Sequence, residues 1–362
     1  MNIMDDRRAL HRIPELDRQL PQTLAYLRRA LEGLSCQVFS PMEGALCAFF
    51  DFGREKAIAF RSDADALPIQ ERTGLDYASI HPGCMHACGH DGHMAIVLEL
   101  ARRLSGKREL PHNVLLVFQP AEETTGGARE LCETKVFERY AVEAIFGLHL
   151  WPGLPAGVIA SRKGELMARS CEVKVDVCGK AAHIAKAEEG LDALAAGVKF
   201  YARAMEMEAG LPKEVFRLLK FGKFESGRVC NALSDHTHME GSLRAFQDEV
   251  FFGMRQALLD IAGEVEAQTG CTVRLDMNDG YPAVLNPADL YDRVQQAVSF
   301  LELPKPAMTT EDFSWYQRSL PGMFFFLGLG DVPALHADNF NFNESILTKG
   351  ADFFEHLAED FQ

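Results

Sequence analysis

The sequence predicts an α/β layered fold interrupted by a smaller α+β insert, and three observations carry the prediction. Short apolar runs closed by turn residues recur along the chain, helical patterns lie between several of them, and from about Cys171 the texture changes to strands that alternate with period two. A chain of 362 residues has room for about two domains. The larger is expected over 1–169 and 279–362, and the insert over 170–278.

In chain order, Leu24, Leu27, Leu31 and Leu34 fall at helical spacing, with Gly33 where a C-cap belongs. Leu46 to Phe50, Ala57 to Phe60, Val114 to Phe118, Ala144 to Leu148 and Met323 to Leu327 are strand-length apolar runs. From Met94 to Leu104, Val97, Leu98, Ala101 and Leu104 share a helical face, and Gly106 follows. Within the insert, Cys171 to Val177 alternates as a strand with one wet face would. A helix over Gly190 to Met207, a strand over His236 to Leu243, a helix over Glu249 to Gln268 and a strand over Thr272 to Met277 complete it. Met277-Asn-Asp-Gly-Tyr-Pro is a turn-rich exit.

Composition narrows the function classes. With 47% hydrophobic and 25% charged residues the chain is globular, not disordered, collagenous or coiled coil. No run approaches the roughly 18 apolar residues of a spanning helix. Thirty-seven Lys and Arg against 52 Asp and Glu give a net charge of −15, which repels phosphate backbones and anionic lipid, so neither nucleic acid nor membrane is expected as a partner. Met1 to Arg12 carries Asp5, Asp6, Arg7 and Arg8 and no apolar stretch, unlike a secretory leader, and the expected location is the cytoplasm. Nine Cys without a C-x-x-C pair are expected to be thiols.

Chemistry-bearing residues follow the apolar runs. Asp63 and Asp65 come after Ala57 to Phe60, Glu122 and Glu123 after Val114 to Phe118, His149 after Ala144 to Leu148, and His336 beyond Met323 to Leu327. Ligands in open α/β sheets bind beyond the carboxyl ends of the strands, so these four segments are expected to converge. His86-Ala-Cys88-Gly-His90-Asp91-Gly-His93 stands before the helix expected near Met94. In an extended loop Cys88 and His90 project to one side, and thiolate with imidazole suits Zn²⁺ or a related transition metal. Alone, the segment reads more readily as a loop in which Asp91 caps the helix and the histidines are solvated; the neighbouring segments favour the metal. In Gln119-Pro-Ala-Glu122-Glu123-Thr-Thr-Gly126-Gly127 two adjacent carboxylates point different ways, so one can bind metal while the other acts as general base. Cys88, His90, Glu123, His149 and His336 are too few for two separate four-coordinate structural sites. They suit one open catalytic site, or two metals about 3.5 to 4 Å apart sharing a bridging ligand.

Leu10-His-Arg-Ile-Pro-Glu15, Arg61-Ser-Asp-Ala-Asp65-Ala-Leu-Pro68, Met85-His-Ala-Cys-Gly-His-Asp91, Phe118-Gln-Pro-Ala-Glu-Glu123, Gly147-Leu-His149 and Thr310-Glu-Asp-Phe313 occur in that order along the chain. Together they resemble the metallo-amidohydrolases that include bacterial aminoacylases, hippurate hydrolase, indole-acetyl-amino-acid hydrolases and N-acetyldiaminopimelate deacetylase. The resemblance implies a metallopeptidase-like α/β catalytic domain with an inserted lid and dimerisation domain. It implies that Cys88, His90, Glu123, His149 and His336 bind metal, with Cys88 bridging two ions, that Glu122 is the general base, and that Asp65 orients a site group without binding metal. His183, in Lys180-Ala-Ala-His183, matches a lid histidine that approaches the scissile carbonyl, and Asn231 and Arg244 match lid positions that meet the substrate. The chain departs from the family pattern at Ala187 and Glu188, where a Pro-His pair is common, at Gln22, and at Ala337-Asp338.

The implied reaction is hydrolysis of an N-acyl amino acid, carrying an acetyl or aromatic acyl group, to a carboxylate and a free amino acid. A divalent transition metal would polarise the amide, Zn²⁺ or Mn²⁺ with Co²⁺ or Ni²⁺ as alternatives. A dipeptidase or carboxypeptidase on the same scaffold would use the same residues, and a non-catalytic metal-binding descendant would keep the fold without turnover.

Overall fold

The structure, a computed structural model, describes residues 2–362. A capping box starts it: Asn2 accepts from the amides of Met4 and Asp5 while the Asp5 carboxylate accepts from the Asn2 amide, and α1 (Ile3–His11) follows. α2 (Pro21–Leu31) has no side-chain cap of its own. Glu15 supplies one from upstream, its carboxylate accepting from the amides of Gln22 and Thr23. The helix stops before Gly33, whose φ is +79°, so Leu34 lies beyond it.

The elements that follow are β1 (Gln37–Phe39), β2 (Leu46–Phe50), β3 (Ala57–Asp63), α3 (His90–Ser105), β4 (Asn113–Gln119), α4 (Gly127–Glu133), α5 (Val136–Arg139), β5 (Val142–Pro152), β6 (Ile159–Ser161), β7 (Gly164–Met167) and β8 (Arg169–Cys178). Next come α6 (Ala193–Gly210), β9 (Arg217–Ser226), β10 (His236–Ala245), α7 (Asp248–Thr269) and β11 (Thr272–Met277). The chain closes with β12 (Val284–Asn286), α8 (Ala288–Ala297), β13 (Leu301–Glu302), α9 (Ser314–Gln317), β14 (Gly322–Gly330) and α10 (Leu347–Asp360). They divide into two compact units. One is Met1–Leu166 with Leu285–Lys305 and Asp312–Gln362, and the other is Met167–Val284 with Pro306–Glu311. Against the 170–278 expected for the insert, the second unit is wider at both ends and takes in a further segment.

The first unit is built on an eight-stranded sheet in the order β1-β2-β4-β3-β5-β14-β6-β13. Its centre is parallel, with Phe60 opposite Leu116 and Phe146, and Phe326 opposite His149. Every residue of β3 and β4 is buried, which is why these strands read as continuous apolar runs. α3 lies against β3 and packs beside α1 and α10. Gly350 permits the α3–α10 approach, since a Cβ there would stand 2.7 Å from Ile96 Cδ1.

In the second unit an antiparallel sheet, β11-β8-β10-β9, is covered by α6 and α7. Val173, Val175, Val177, Phe200, Leu243, Phe251 and Leu258 form its core. β9 was absent from the expected strand-helix-strand-helix-strand order. It is an edge strand with most side chains half-buried or exposed, so it carries little periodic apolar signal, and Lys220 and Lys223 mark the charge common on such edges. All nine cysteines are free thiols. No helix among the described residues is long and apolar enough to cross a membrane.

Buried charge ties α1 to α3. Arg7 Nε donates to Asp91 Oδ2 at 3.0 Å, and His11 sits between Asp91 Oδ2 at 2.9 Å and Glu71 Oε1 at 3.2 Å, edge-on to the Tyr77 ring. Burial alone would lower the His11 pKa. The hydrogen bonds to Asp91 and Glu71 overcome both burial and the repulsion of Arg7, and raise it to about 9; nearby His86 is held neutral by burial, with the charge of His11 acting in the same direction. A folded pKa above the ordinary 6.5 means that this contribution is complete below pH 6.5 and is lost as pH rises through 9. Wild type is therefore expected to lose several degrees of Tm between pH 6.5 and 9.5 that His11→Asn does not. Parallel Tm–pH curves for the two proteins would refute this coupling.

Candidate metal centre

The helix α3 begins at His90 instead of near Met94, because the chain enters it through Gly89 in the left-handed region, φ +86°. His90 and His93 are thus one turn apart on a helix, with ring centroids 5.4 Å apart. Asp91 does not cap the helix; it is wholly buried and held well below the usual carboxylate range, burial being outweighed by Arg7 and His11. The first turn is wedged against Leu150, whose Cδ1 would lie 2.7 Å from a Cβ on Gly92.

Residue 65 fixes the next two groups. The Asp65 carboxylate accepts from the amide of Glu122 at 3.0 Å and that of Glu123 at 3.1 Å, and its carbonyl accepts from His90 Nδ1 at 2.8 Å. The turn carrying the two glutamates is tight. Ala121 takes φ +58°, and a Cβ on Gly127 would stand 2.1 Å from the Pro120 carbonyl oxygen. Glu122 is buried.

His149 is within β5, which runs on to Pro152, instead of following it. Its Nδ1 donates to the Leu150 carbonyl at 2.7 Å, while the Leu150 amide donates to His93 Nε2 at 2.9 Å and His93 Nδ1 donates to Asp63 Oδ1 at 2.6 Å. These partners assign the tautomers: His90 and His149 are protonated at Nδ1, leaving each Nε2 with a lone pair. His149 Nε2 lies 3.4 Å from Cys88 Sγ. His336 reaches the cluster on a backbone with φ +66°, its amide held by the Ala87 carbonyl at 2.9 Å, and its Nε2 is 3.4 Å from Glu123 Oε1.

Several sets of three ligand atoms result; two of them, Cys88 with His90 and His149, and Cys88 with Glu123 and His336, contain the same sulfur, while Asp63 with His90 and His93, and His90 with Glu122 and Glu123, form others. The donors fit a transition metal. His90 Nε2 and Glu123 Oε1 face each other at 3.7 Å, both buried, neither with a hydrogen-bond partner, as ligands for a cation between them would be. Burial, and after it the charges of Glu123, Glu122 and Asp63, push the Cys88 thiol well above its usual range, so a thiolate is held here only with a cation beside it.

The first unit therefore brings together Asp65, Cys88, His90, Glu122, Glu123, His149 and His336. His183, Asn231 and Arg244 belong to the second unit. His183 is exposed, and its Nδ1 accepts from the Ala185 amide at 3.1 Å, which leaves Nε2–H to donate. The residue after it, Ile184, pairs its amide with the carbonyl of Asn231. Arg244 is half-buried, donates to Ser242 Oγ and to the Met308 carbonyl, and meets no carboxylate among the described residues. Sequence reasoning missed the roles of His93, Asp63, Arg61, Gln119 and Asp312. Arg61, Asp63, Gln119 and Asp312 stand inside the motifs that carry the resemblance, and His93 lies three residues after His90, but no local feature told what they touch.

Residues 59–360 match the model for peptidase family M20/M25/M40. An uncharacterized hydrolase of Staphylococcus epidermidis is 32% identical over 374 residues, covering 98% of this chain and 97% of its own. The YxeP protein of Bacillus subtilis, a dinuclear metal binding peptidase of the M20 family, superposes with a TM-score of 0.85 at 31% identity, covering 98% of this chain and 96% of that one. An aminobenzoyl-glutamate utilization protein from Klebsiella pneumoniae shares the fold, with a TM-score of 0.65 at 20% identity over 98% of this chain and 94% of that one. The chain belongs to peptidase family M20/M25/M40 and is a metal-dependent hydrolase of it.

Proposed function

We propose that this enzyme hydrolyses the amide bond of N-acyl amino acids, with acetyl or aromatic acyl groups, using two divalent ions, each of which Cys88 would help to hold. The observation that carries the reading is the shared sulfur: two ligand triads meet at one buried cysteine, and a buried carboxylate, Glu122, lies within reach of His90 and Glu123 without belonging to either Cys88 triad. The dinuclear binding described for the YxeP protein supports it.

Cys88, His90 and His149 would hold one ion, and Cys88, Glu123 and His336 the other, with Zn²⁺ or Mn²⁺ preferred and Co²⁺ or Ni²⁺ suited to the same donors. Bound metal supplies Lewis acidity, polarising the amide carbonyl and acidifying water. Glu122 takes the water proton and passes it to the leaving nitrogen, a role typically worth about 10² to 10⁴ in rate. Asp65 fixes the direction of Glu122 and Glu123 through their amides. From the second unit, the His183 Nε2–H would donate to the developing oxyanion, Asn231 would bind substrate, and the Arg244 guanidinium, without a carboxylate of its own, would pair with the substrate's. Free thiols throughout suit the cytoplasm.

We further propose a homodimer formed by the second unit. The outer edge of β9 pairs with no described strand, and Leu194, Val198, Tyr201 and Phe224 are 39–52% exposed close to it in the sequence of α6 and β9. Sedimentation should find a dimer that Val198→Glu converts to monomer, and a monomeric wild type at micromolar concentration would remove the proposal.

Amine release from N-acetyl, N-benzoyl and dipeptide substrates, with enzyme reloaded with Zn²⁺ or Mn²⁺, tests the activity. Turnover of N-acyl amino acids is expected, and a preference for dipeptides would assign a peptidase instead. Glu122→Gln should cut kcat by roughly 10²- to 10⁴-fold with bound metal unchanged, whereas Cys88→Ala should lose metal. Equal metal loss in the two variants would contradict the division of roles.

A further inference from the structure

Asp312 lies in the Thr310–Phe313 segment, which has no part in the chemistry above, yet it is wholly buried and heavily bonded. Gln119 Nε2 donates to both of its oxygens, at 2.9 and 2.7 Å, the Ala128 amide donates to Oδ2 at 3.0 Å, and Arg61 Nη2 donates to Oδ1 at 2.9 Å. Gln119 ends β4 and Ala128 lies in the first turn of α4, so one carboxylate joins the two ends of the turn whose apex carries Glu122 and Glu123. The remaining bonds of Gln119 are equally committed, its Oε1 accepting from Arg61 Nε at 2.7 Å and from the Tyr316 hydroxyl at 2.8 Å.

We propose that Asp312 is a positioning residue for Glu122. Acting through Gln119 and Ala128, it closes the neck of the turn that Asp65 holds at its apex, and so sets where the Glu122 carboxylate stands relative to His90. Arg61 extends the control. While Nη2 binds Asp312, Nη1 donates to Asp63 Oδ2 at 2.9 Å, and Asp63 orients His93, which receives the Leu150 amide beside His149. The base-bearing turn and the imidazole cluster are thereby referred to a single buried guanidinium. The inference rests on Glu122 being the proton acceptor and assigns no metal contact to Asp312.

The test is a double-mutant cycle of Asp312→Asn with Glu122→Gln, on the N-acyl amino acid that wild type turns over fastest. It is read together with Tm and the visible absorption of the Co²⁺-loaded proteins. Asp312→Asn should lower kcat about 10²-fold, the scale of a misplacement of about 1 Å, with KM and the Co²⁺ bands near wild type. In the Glu122→Gln background it should cost nothing further, because its effect passes through Glu122. Gly127→Ala, whose new Cβ meets the Pro120 carbonyl at the same neck, provides the same reading if Asp312→Asn does not fold. A lowered Tm with wild-type kcat, or a kcat loss that persists in full without Glu122, would overturn the proposal. Full activity in Glu122→Gln alone would instead overturn the assignment of the base.

Discussion

The arrangement of the metal centre depends on Asp65. Its carboxylate takes two consecutive backbone amides and its carbonyl takes the Nδ1–H of His90, so a residue just past β3 fixes groups from the start of α3 and from the turn after β4. Because consecutive side chains on such a turn point apart, holding the two amides is enough to send Glu123 towards His90 and His336 and to leave Glu122 for a different task. The cost of burying this carboxylate is offset by hydrogen bonds that only one local chain path can supply. That requirement explains why a non-glycine residue, Ala121, is tolerated in the left-handed region immediately before the pair.

Behind Asp65 lies a second layer with the same logic. Asp63, Asp91 and Asp312 are all wholly buried, and each has a guanidinium within 3.0 Å. Burial opposes ionisation of all three, and the pairing offsets it to different degrees. His90, His93 and Arg61 together hold Asp63 well below the usual carboxylate range, whereas Asp312, which shares Arg61 with Asp63, is pushed up by burial and by that neighbour's charge. Pairs of this kind add little net stability but penalise any conformation that leaves a charge unpartnered, so they act mainly on specificity of structure. Here that specificity is spent on imidazole orientation: Asp63 fixes His93, whose Nε2 takes the Leu150 amide beside His149.

Much of this was legible in sequence because strands buried on both faces write themselves as uninterrupted apolar runs. Leu46–Phe50 matches its expected bounds, and the other four runs differ only in being longer, as β5 is when it carries His149 inside the strand. The polar residues at the strand ends could be gathered from topology alone. Three things were not readable. The early start of α3 depends on Gly89 adopting a positive φ and on contact with Leu150, a residue 61 positions away. β9 is an edge strand and needs no apolar periodicity. The partners of Asp312 are 184 to 251 residues distant, and nothing local distinguishes a carboxylate that closes a turn from one that binds substrate.

The contrast between the two histidines at the ends of the ligand set follows from the same geometry. His149 is held by β5, paired through Phe326 of β14 and clamped by the Leu150 carbonyl, so its position is a property of the sheet. His336 is half-exposed, sits on a left-handed backbone, and is tied by its amide to Ala87, next to Cys88. A strained residue of this kind persists when its surroundings over-determine it, and here one hydrogen bond to the cysteine-bearing segment is joined only by proximity to Glu123. The triad of Cys88, Glu123 and His336 therefore has fewer bonds to the rest of the fold than the triad of Cys88, His90 and His149. The sheet and the start of α3 thus fix one side of the candidate site, a loop on a left-handed backbone supplies the other, and Cys88 belongs to both triads.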